Sequence, residues 1–332
     1  MNRVFSALVL VWALSAVDAS AGIVTFGQGA NQFSMEFVTI GNPGNAPDTT
    51  GTPNPAGAVS YVYSIGKFEI SRGMIIKYNA AIENASRQIT LADMAAFGGN
   101  GANKPATGAT WSALARFVNW LNTSTGGYAA YKLPLTGGVD DALQVWTAAD
   151  IDDFDASNPF RSKRARYFFP NYNEWYKAAY YSPSGVYYDY PTGSDTAPTA
   201  VASGTVANTA VYGDQSGPAD VDQAGGLSPY GVMGLGGNVW EWEETNYYFE
   251  IINTYFLSDR GARGGEWRSN AGDLSSSIRE GGNAHAPFYY NNFGFRVVSL
   301  SPSNAAVPEP STMMIGMILG LGGLLSKRRM KR

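Results

Sequence analysis

Hydrophobic and polar positions alternate in two places along the first quarter of the chain. The alternation covers residues 23–40 and then the stretch from Val59 to Ile70, and a period of two predicts half-buried β-strands. Residues 41–58 between them are rich in Gly, Pro, Asn and Thr, which predicts a loop. Residues 182–237 show no sustained period, and so long a stretch in a compact domain is usually functional or held by ions.

A helical period of apolar positions follows three residues that can cap a helix. Ser71 precedes a predicted helix that ends near Ile82, and Asn173 precedes one that ends near Tyr181. Thr110 precedes the clearest of the three. The apolar stripe of that helix predicts a core face, formed by Trp111, Leu114, Phe117, Val118 and Leu121.

The most informative stretch runs from Gly231 to Glu244 and reads GVMGLGGNVWEWEE. Its glycines predict a tight turn, because glycine adopts positive φ angles without steric cost. The following residues alternate, so the two tryptophans share one face of a strand while the first two glutamates share the other. Two interpretations of these carboxylates stay open. They are either solvated side chains of a core strand or, with the Asn238 amide, ligands of a hard cation.

Both ends of the chain carry targeting signals. Residues 1–21 have a short polar start, an apolar run and an Ala-Ser-Ala site, which predicts a signal peptide cleaved by signal peptidase. At the other end, a linker with a Pro-Glu-Pro motif (301–311) precedes an apolar stretch (312–325) and a basic tail (326–332). The apolar stretch gives about 21 Å of helix, short for a stable span. It predicts a transient transmembrane anchor with the tail in the cytoplasm; a permanent tail anchor is the alternative.

Charge and composition restrict the function further. Residues 22–307 hold 17 Lys and Arg against 25 Asp and Glu, a net charge of −8, which argues against nucleic acid and anionic lipid as partners. The chain has no cysteine, so no disulfide stabilises an exported domain. His285 is the single histidine, which excludes a cluster of histidine ligands.

Several blocks resemble, in order, the formylglycine-generating enzyme or sulfatase-modifying factor family. They are GGNVWEW in the signature stretch and residues 65–82, 103–122, 165–180, 263–267 and 294–299. The resemblance implies an α+β, elaborated C-type-lectin-like fold over residues 22–300, loop-rich, with short strands and few helices. The C-terminal end resembles the PEP-CTERM sorting tail of Gram-negative bacteria. That likeness implies processing by an exosortase-type enzyme, a transient stay at the inner membrane, and then the outer surface or extracellular matrix.

The family's chemistry depends on a pair of cysteines that bind copper and activate oxygen. Counted from Trp267, as the family pattern counts, those positions fall on Ser269 and Leu274. Serine is a poor ligand for Cu(I) and leucine is none. We therefore expect no copper and no formylglycine production.

The resemblance also implies structural calcium and a ligand cleft. One calcium site falls on Asn238 and Glu241, with backbone carbonyls completing the shell, and another on Asn208 and Asp214. The cleft is expected near the last two blocks of the resemblance (263–267 and 294–299). Its candidate ligand contacts are Trp267, Arg279, Tyr289 and Tyr290.

Three arginines near the closing blocks, Arg263, Arg279 and Arg296, are open to two interpretations. We favour a structural role for them, paired with Glu241 or Glu266, over a place at the cleft, because an unpaired buried charge is costly.

Two classes of function remain open. The first is an exported, non-catalytic protein of the cell envelope or extracellular matrix that binds a glycan or peptide, or acts structurally. Exposed aromatic side chains beside Asn and Asp suit stacking on sugar rings or peptides. The second is a formylglycine-generating-type oxidase, or a related oxygenase, with a site that does not use cysteine.

Overall fold

The computed structural model describes residues 22–133, 143–248, 259–285 and 291–300. The strands in these ranges are β1 Gly22–Phe26, β2 Phe33–Ile40, β3 Tyr63–Gly66, β4 Tyr167–Phe168, β5 Thr199–Ala200, β6 Thr209–Ala210, β7 Trp240–Asn246, β8 Asp259–Arg263, β9 Glu280–Asn283, β10 Phe293–Gly294 and β11 Val298–Ser299. The helices are α1 Arg72–Ala81, α2 Trp111–Thr123 and α3 Tyr172–Tyr180. Short 3₁₀ turns cover Gly29–Asn31, Ala85–Arg87 and Ala271–Leu274.

Two main sheets organise the chain. The first has the order β1-β2-β3-β11-β4, and its neighbours are antiparallel. The second has the order β10-β7-β8-β9, with β10 parallel to β7 and the other pairs antiparallel. Because β11 lies between β3 and β4, the C-terminal end of the domain pairs with the strands near its beginning. The described chain is thus α+β, loop-rich and C-type-lectin-like, as predicted.

The helix caps follow the sequence with one exception. The Ser71 hydroxyl accepts from the backbone N–H of Met74 at 3.3 Å, so α1 begins where the sequence predicts. The third helix begins earlier than predicted, because Asn171 and not Asn173 caps it. Asn171 accepts from the N–H of Glu174 at 2.9 Å, and the Glu174 carboxylate accepts from the N–H of Asn171 at 2.7 Å. This reciprocal capping box fixes the start of α3.

The core forms around α2. All five residues of its predicted apolar stripe are fully buried. The Trp111 ring stacks on Phe169 with centroids 4.8 Å apart, and Phe117 meets Phe295 edge-on at 5.9 Å. Burial of such a side chain stabilises the fold by roughly 1.5–3 kcal/mol. The stripe therefore joins the helix to the first sheet and to the C-terminal segment.

Regular structure is sparser than the alternation predicted. The strand expected over residues 59–70 is limited to Tyr63–Gly66, and residues 182–237 contain just the two-residue strands β5 and β6. In the ranges that the structure describes, no helix is long and apolar enough to cross a membrane. The predicted signal peptide (1–21) and the predicted linker, span and tail (301–332) lie outside those ranges.

Candidate functional site

The signature turn is packed tightly against distant backbone. Gly237 has a φ of +76°, and a Cβ there would lie 2.2 Å from the carbonyl oxygen of Val211, so glycine is required. Asn238 follows with a φ of +63° and is fully buried. Its Oδ1 accepts from the N–H of Ala219 at 2.7 Å, and its Nδ2 donates to both carboxyl oxygens of Glu69 at 2.8 and 3.0 Å. The Asn238 amide thus fixes the turn to two remote segments.

Glu241 and Arg296 form a fully buried ion pair behind this turn. The Arg296 Nε–H donates to Glu241 Oε2 at 2.5 Å, and the adjacent Nη2 donates to Oε1. Trp175 Nε1 donates to the same Oε2 at 2.7 Å. The other guanidinium N–H groups reach the carbonyl oxygens of Gly66 and Met233 at 2.9 and 2.8 Å. The predicted structural pairing of Arg296 with Glu241 is confirmed.

Glu69, buried beside this pair, is a carboxyl group with a perturbed proton affinity. Burial and the negative charge of Glu241 raise its pKa well above the ordinary 4.5, while Arg296 and the Asn238 amide act in the opposite direction. The protonated form is therefore favoured relative to an exposed glutamate.

Glu243, two residues along β7, binds two arginines. Its Oε1 accepts from Arg263 Nε at 3.0 Å, and its Oε2 accepts from Arg279 Nε at 2.9 Å. Gly261 allows the close approach, since a Cβ there would lie 2.0 Å from Arg279 Nη2. The structural role predicted for both arginines is correct, but the predicted partner is wrong, because Glu243 takes the place of the suggested glutamates.

Glu244 ends this row of buried acids. Its carboxylate accepts from the Tyr131 hydroxyl at 2.9 Å and from Asn158 Nδ2 at 2.5 Å, and Arg161 Nη1 lies 3.8 Å away. Burial alone would lower the pKa of Arg161, but the carboxylates of Glu244 and Glu174 outweigh it and raise that pKa. The glutamates of the signature are thus internal anchors of the fold and not solvated side chains.

A polar cleft of about 720 Å³ opens beside residues 266–273, a segment called the closing block below. It is lined by Trp240, Glu266, Arg268, Ser269, Asn270, Asp273, Glu280, Gly281, Asn291, Asn292 and Phe293, a set called the polar cleft below. Arg268 Nε lies 3.2 Å from Glu266 Oε1, and the Ser269 hydroxyl accepts from the N–H of Glu266 at 3.1 Å. Asn291 and Asn292 are half-buried.

The two positions predicted to correspond to the family cysteines differ in their surroundings. Ser269 lines the polar cleft and is 8% exposed, whereas Leu274 is fully buried in the core. Leu274 closes the end of a 3₁₀ turn, and its backbone carbonyl accepts from the Tyr180 hydroxyl at 3.1 Å. A hydroxyl and an alkyl group at these positions supply no soft ligand.

The candidate ligand contacts are not brought together at the cleft. Trp267 is fully buried, packed in a small cluster with Met94, Val211 and Val239. Arg279 is bound to Glu243, away from the cleft lining. The other two candidates, Tyr289 and Tyr290, lie outside the described residues.

The residues proposed for calcium differ in how free their oxygens are. Both carboxylate oxygens of Glu241 accept from Arg296, and the Asn238 oxygen accepts a backbone N–H, so these donors do not fit a cation. Asn208 and Asp214 are exposed, with φ angles of +55° and +58°, and calcium at them stays a prediction. Among the described residues, no three His, Cys, Asp or Glu side chains are grouped to hold a metal ion.

The sequence matches a known protein family over most of its length. A model of the sulfatase-modifying factor enzyme 1-like domain matches residues 25–300. The chain belongs to this family. Within the sulfatase-modifying factor family scaffold, β7 carries the signature glutamates and the closing block borders the polar cleft.

Solved structures share the fold of this sulfatase-modifying factor domain at low sequence identity. Treponema denticola variable protein 1 is 19% identical, with a TM-score of 0.51, and the match covers 83% of this chain and 98% of that chain. CarF is 16% identical, with a TM-score of 0.54 and coverage of 80% and 98%. PvdO from Pseudomonas aeruginosa is 15% identical, with a TM-score of 0.51 and coverage of 84% and 98%. No curated protein matches the chain in sequence.

Most residues that line the polar cleft were not predicted. The amides of Asn270, Asn291 and Asn292 and the carboxylate of Glu280 come from three separate segments. The one local signal is the closing block itself, since residues 266–273 supply five of the eleven lining residues.

Proposed function

We propose that this member of the sulfatase-modifying factor family is an exported protein that binds a glycan in the polar cleft and does not oxidise cysteine. One observation carries the proposal. A serine hydroxyl, that of Ser269, borders the cleft, and it stands where the family resemblance predicts a cysteine. A thiolate is the group that Cu(I) chemistry requires, and the whole chain contains none.

The lining of the cleft supports recognition of hydroxyl groups. Asn291 and Asn292 present amides, each with donor and acceptor atoms, and no described side chain hydrogen-bonds to them. The aromatic residues Trp240 and Phe293 form the apolar part of the lining, with ring centroids 6.3 Å apart. Planar polar groups beside aromatic carbon suit the alternating polar and apolar faces of a sugar.

The charge of the cleft selects among glycans. Glu266 is paired with Arg268, so Asp273 and Glu280 leave the lining with an excess of negative charge. Like charges repel, which disfavours uronic acids and sulfated sugars. We therefore propose a neutral or amino-sugar glycan as the ligand.

Export is the cellular part of the proposal. The N-terminal signal and the Pro-Glu-Pro tail support passage through the inner membrane and exosortase-type processing, with the domain then at the outer surface or in the extracellular matrix. Detection of the mature domain outside the cell, without residues 312–332, would test this. Protein that keeps its tail and stays in the cytoplasm would contradict it.

Binding of the purified protein to a glycan array tests the ligand. We expect saturable binding to neutral or amino-sugar oligosaccharides, and none to alginate. Asn292→Ala should weaken binding about tenfold or more, because the cleft loses an amide that offers both a donor and an acceptor to the ligand. Gln223→Ala changes an exposed amide outside the cleft and serves as the matched control.

Three outcomes would overturn the proposal. Preference for alginate would contradict the charge argument, and binding of peptides in place of glycans would assign another ligand class. Oxidation of a cysteine peptide by copper-loaded protein would restore the oxidase as the function.

A further inference from the structure

A second cavity, of about 470 Å³, lies away from the polar cleft and shares no lining residue with it. It is formed by the end of α1, the 3₁₀ turn Ala85–Arg87, α2 from Arg116 onward, residues 129–133 and Trp146. Its volume falls in the range of small-molecule sites, which is about 300–1,000 Å³. We call it the helical cavity.

The walls of the helical cavity are aromatic. Tyr78, Trp120 and Trp146 line it, and the Tyr78 and Trp120 rings meet edge-on with centroids 5.5 Å apart. Trp120 and Trp146 are both partly exposed, so their rings are available to a ligand body. Such a wall binds apolar or aromatic groups by burial of carbon surface.

Three cations and, among the described residues, no carboxylate line the same cavity. Lys132 is already neutralised, since its Nζ lies 2.8 Å from both carboxylate oxygens of Asp150. Arg87 and Arg116 make no ion pair with any described carboxylate, and the buried Nε of Arg116 has no hydrogen-bond partner within the described ranges. Arg87 is exposed and solvated, whereas the buried Nε–H of Arg116 is a donor without an acceptor, which is costly and which an anion would relieve.

The Tyr78 hydroxyl lies beside the Arg87 segment, because it donates to the backbone carbonyl of Arg87 at 3.2 Å. Burial raises the pKa of Tyr78 to about 12, and the positive charges of Arg116 and Arg87 act in the opposite direction. Both guanidinium groups therefore act on the same point at the cavity wall. Arg116 on α2 and Arg87 on the 3₁₀ turn Ala85–Arg87 also line the same cavity.

We propose that the helical cavity binds a small organic anion, whose carboxylate, sulfate or sulfonate head is held by Arg116 and Arg87 and whose apolar body lies against Trp120 and Trp146. The planar guanidinium fork matches such a head, because its N–H groups are spaced to donate to two oxygens at once. The net charge of −8 over residues 22–307 argues against a large polyanion. A small anion needs just the local field of the two arginines.

The test compares two probes that differ in one group. Anilinonaphthalene sulfonate carries the sulfonate, and phenylnaphthylamine is its uncharged analogue. Both are titrated into the purified protein and followed by their own fluorescence. We expect the sulfonate to saturate at one site, to bind about tenfold or more tightly than the neutral probe, and to weaken with added salt.

Variants assign that site to the cavity. Arg116→Gln should weaken sulfonate binding about tenfold or more, and leave the neutral probe within twofold of wild type. Arg166→Gln removes an exposed arginine outside the cavity that likewise has no ion pair with a described carboxylate, and should change neither probe. Circular dichroism and the thermal midpoint check that each variant is folded.

Four results would overturn the proposal: no saturable sulfonate site, equal affinity for the two probes, unchanged sulfonate binding in Arg116→Gln, or equal losses in both arginine variants. The comparison of probes in the wild-type protein does not depend on any variant, so the proposal stays testable if Arg116→Gln fails to fold. None of these results bears on glycan binding in the polar cleft.

Discussion

Replacing Glu241 by Gln keeps the shape of the side chain and removes one charge of the buried pair with Arg296. Both side chains are fully buried. The guanidinium would keep its bonds to the carbonyl oxygens of Gly66 and Met233 but would lose its counter-charge. The fold would then contain a buried cation without a carboxylate of its own.

The expected cost follows from that uncompensated charge. Breaking a buried ion pair by removal of one partner typically costs about 3–5 kcal/mol. Glu69 lies in the same environment, and its pKa is raised in part by the charge of Glu241. Loss of that charge lets Glu69 ionise more readily and compensate Arg296 in part. We therefore expect a loss near the lower limit, about 3 kcal/mol in the free energy of unfolding.

Urea unfolding followed by tryptophan fluorescence measures this loss, and the thermal midpoint should fall by roughly 6–12 °C. Glu36→Gln is the control, because Glu36 and Lys67 form an ion pair at 2.9 Å with side chains 29% and 28% exposed. A surface pair of this kind contributes about 0–1 kcal/mol. If Glu241→Gln costs no more than Glu36→Gln, the signature strand is not anchored by its buried charges.

Three further predictions concern the turn, a buried lysine and a backbone anchor. Gly237→Ala should cost about 3 kcal/mol or more in urea unfolding, since it adds strain at positive φ to a backbone clash. Gly231→Ala, at a φ of +91° with no atom within 4 Å of the new Cβ, should cost about 1–2 kcal/mol, and equal costs would contradict the clash. Burial lowers the pKa of Lys177 from 10.5 to about 8. Between these values the unfolded chain binds more protons, so the free energy of unfolding should rise with pH relative to Lys177→Met, and parallel pH profiles would refute this. Asn122→Ala should lower the free energy of unfolding by about 2 kcal/mol or more, measured by calorimetry. The buried amide accepts from two backbone N–H groups at 2.9 and 3.0 Å and donates to the Tyr167 carbonyl at 2.7 Å. A loss below about 0.5 kcal/mol would show that water replaces these bonds.

Local signals in the sequence were sufficient to predict the helices. Ser71 and Thr110 cap α1 and α2 as expected, because a cap depends on residues within one turn. The sequence also contains a signal for the observed start of α3, which the prediction placed too late. Glu174 stands three residues after Asn171, the spacing of a capping box, whereas the side chain of Asn173 accepts from the N–H of Gly57 at 2.7 Å.

The burial of the signature glutamates could not be predicted from alternation alone. Acidic side chains on one face of a strand are normally exposed to solvent. They are buried only where the fold supplies ion-pair or hydrogen-bond partners. Those partners are 20 residues away for Arg263 and Glu243, and 55 residues away for Arg296 and Glu241. Pairing over such distances is set by the tertiary fold, so the sequence suggested a structural role for the arginines but not every partner.

The polar cleft was out of reach for the same reason. Its lining comes from Trp240 and from residues 266–273, 280–281 and 291–293, which are separate in the sequence and are brought together by the tertiary fold. The family resemblance named Ser269 and Leu274 as the positions to compare. It could not show that one of them borders the cleft while the other is core.

Mass spectrometry of a sulfatase-type cysteine peptide, after incubation with copper-loaded protein and oxygen, tests directly whether this protein oxidises cysteine. We expect the peptide to keep its cysteine, because Ser269 and Leu274 provide no thiolate for the metal. Conversion of the cysteine to formylglycine, at a rate that depends on the protein, would contradict it.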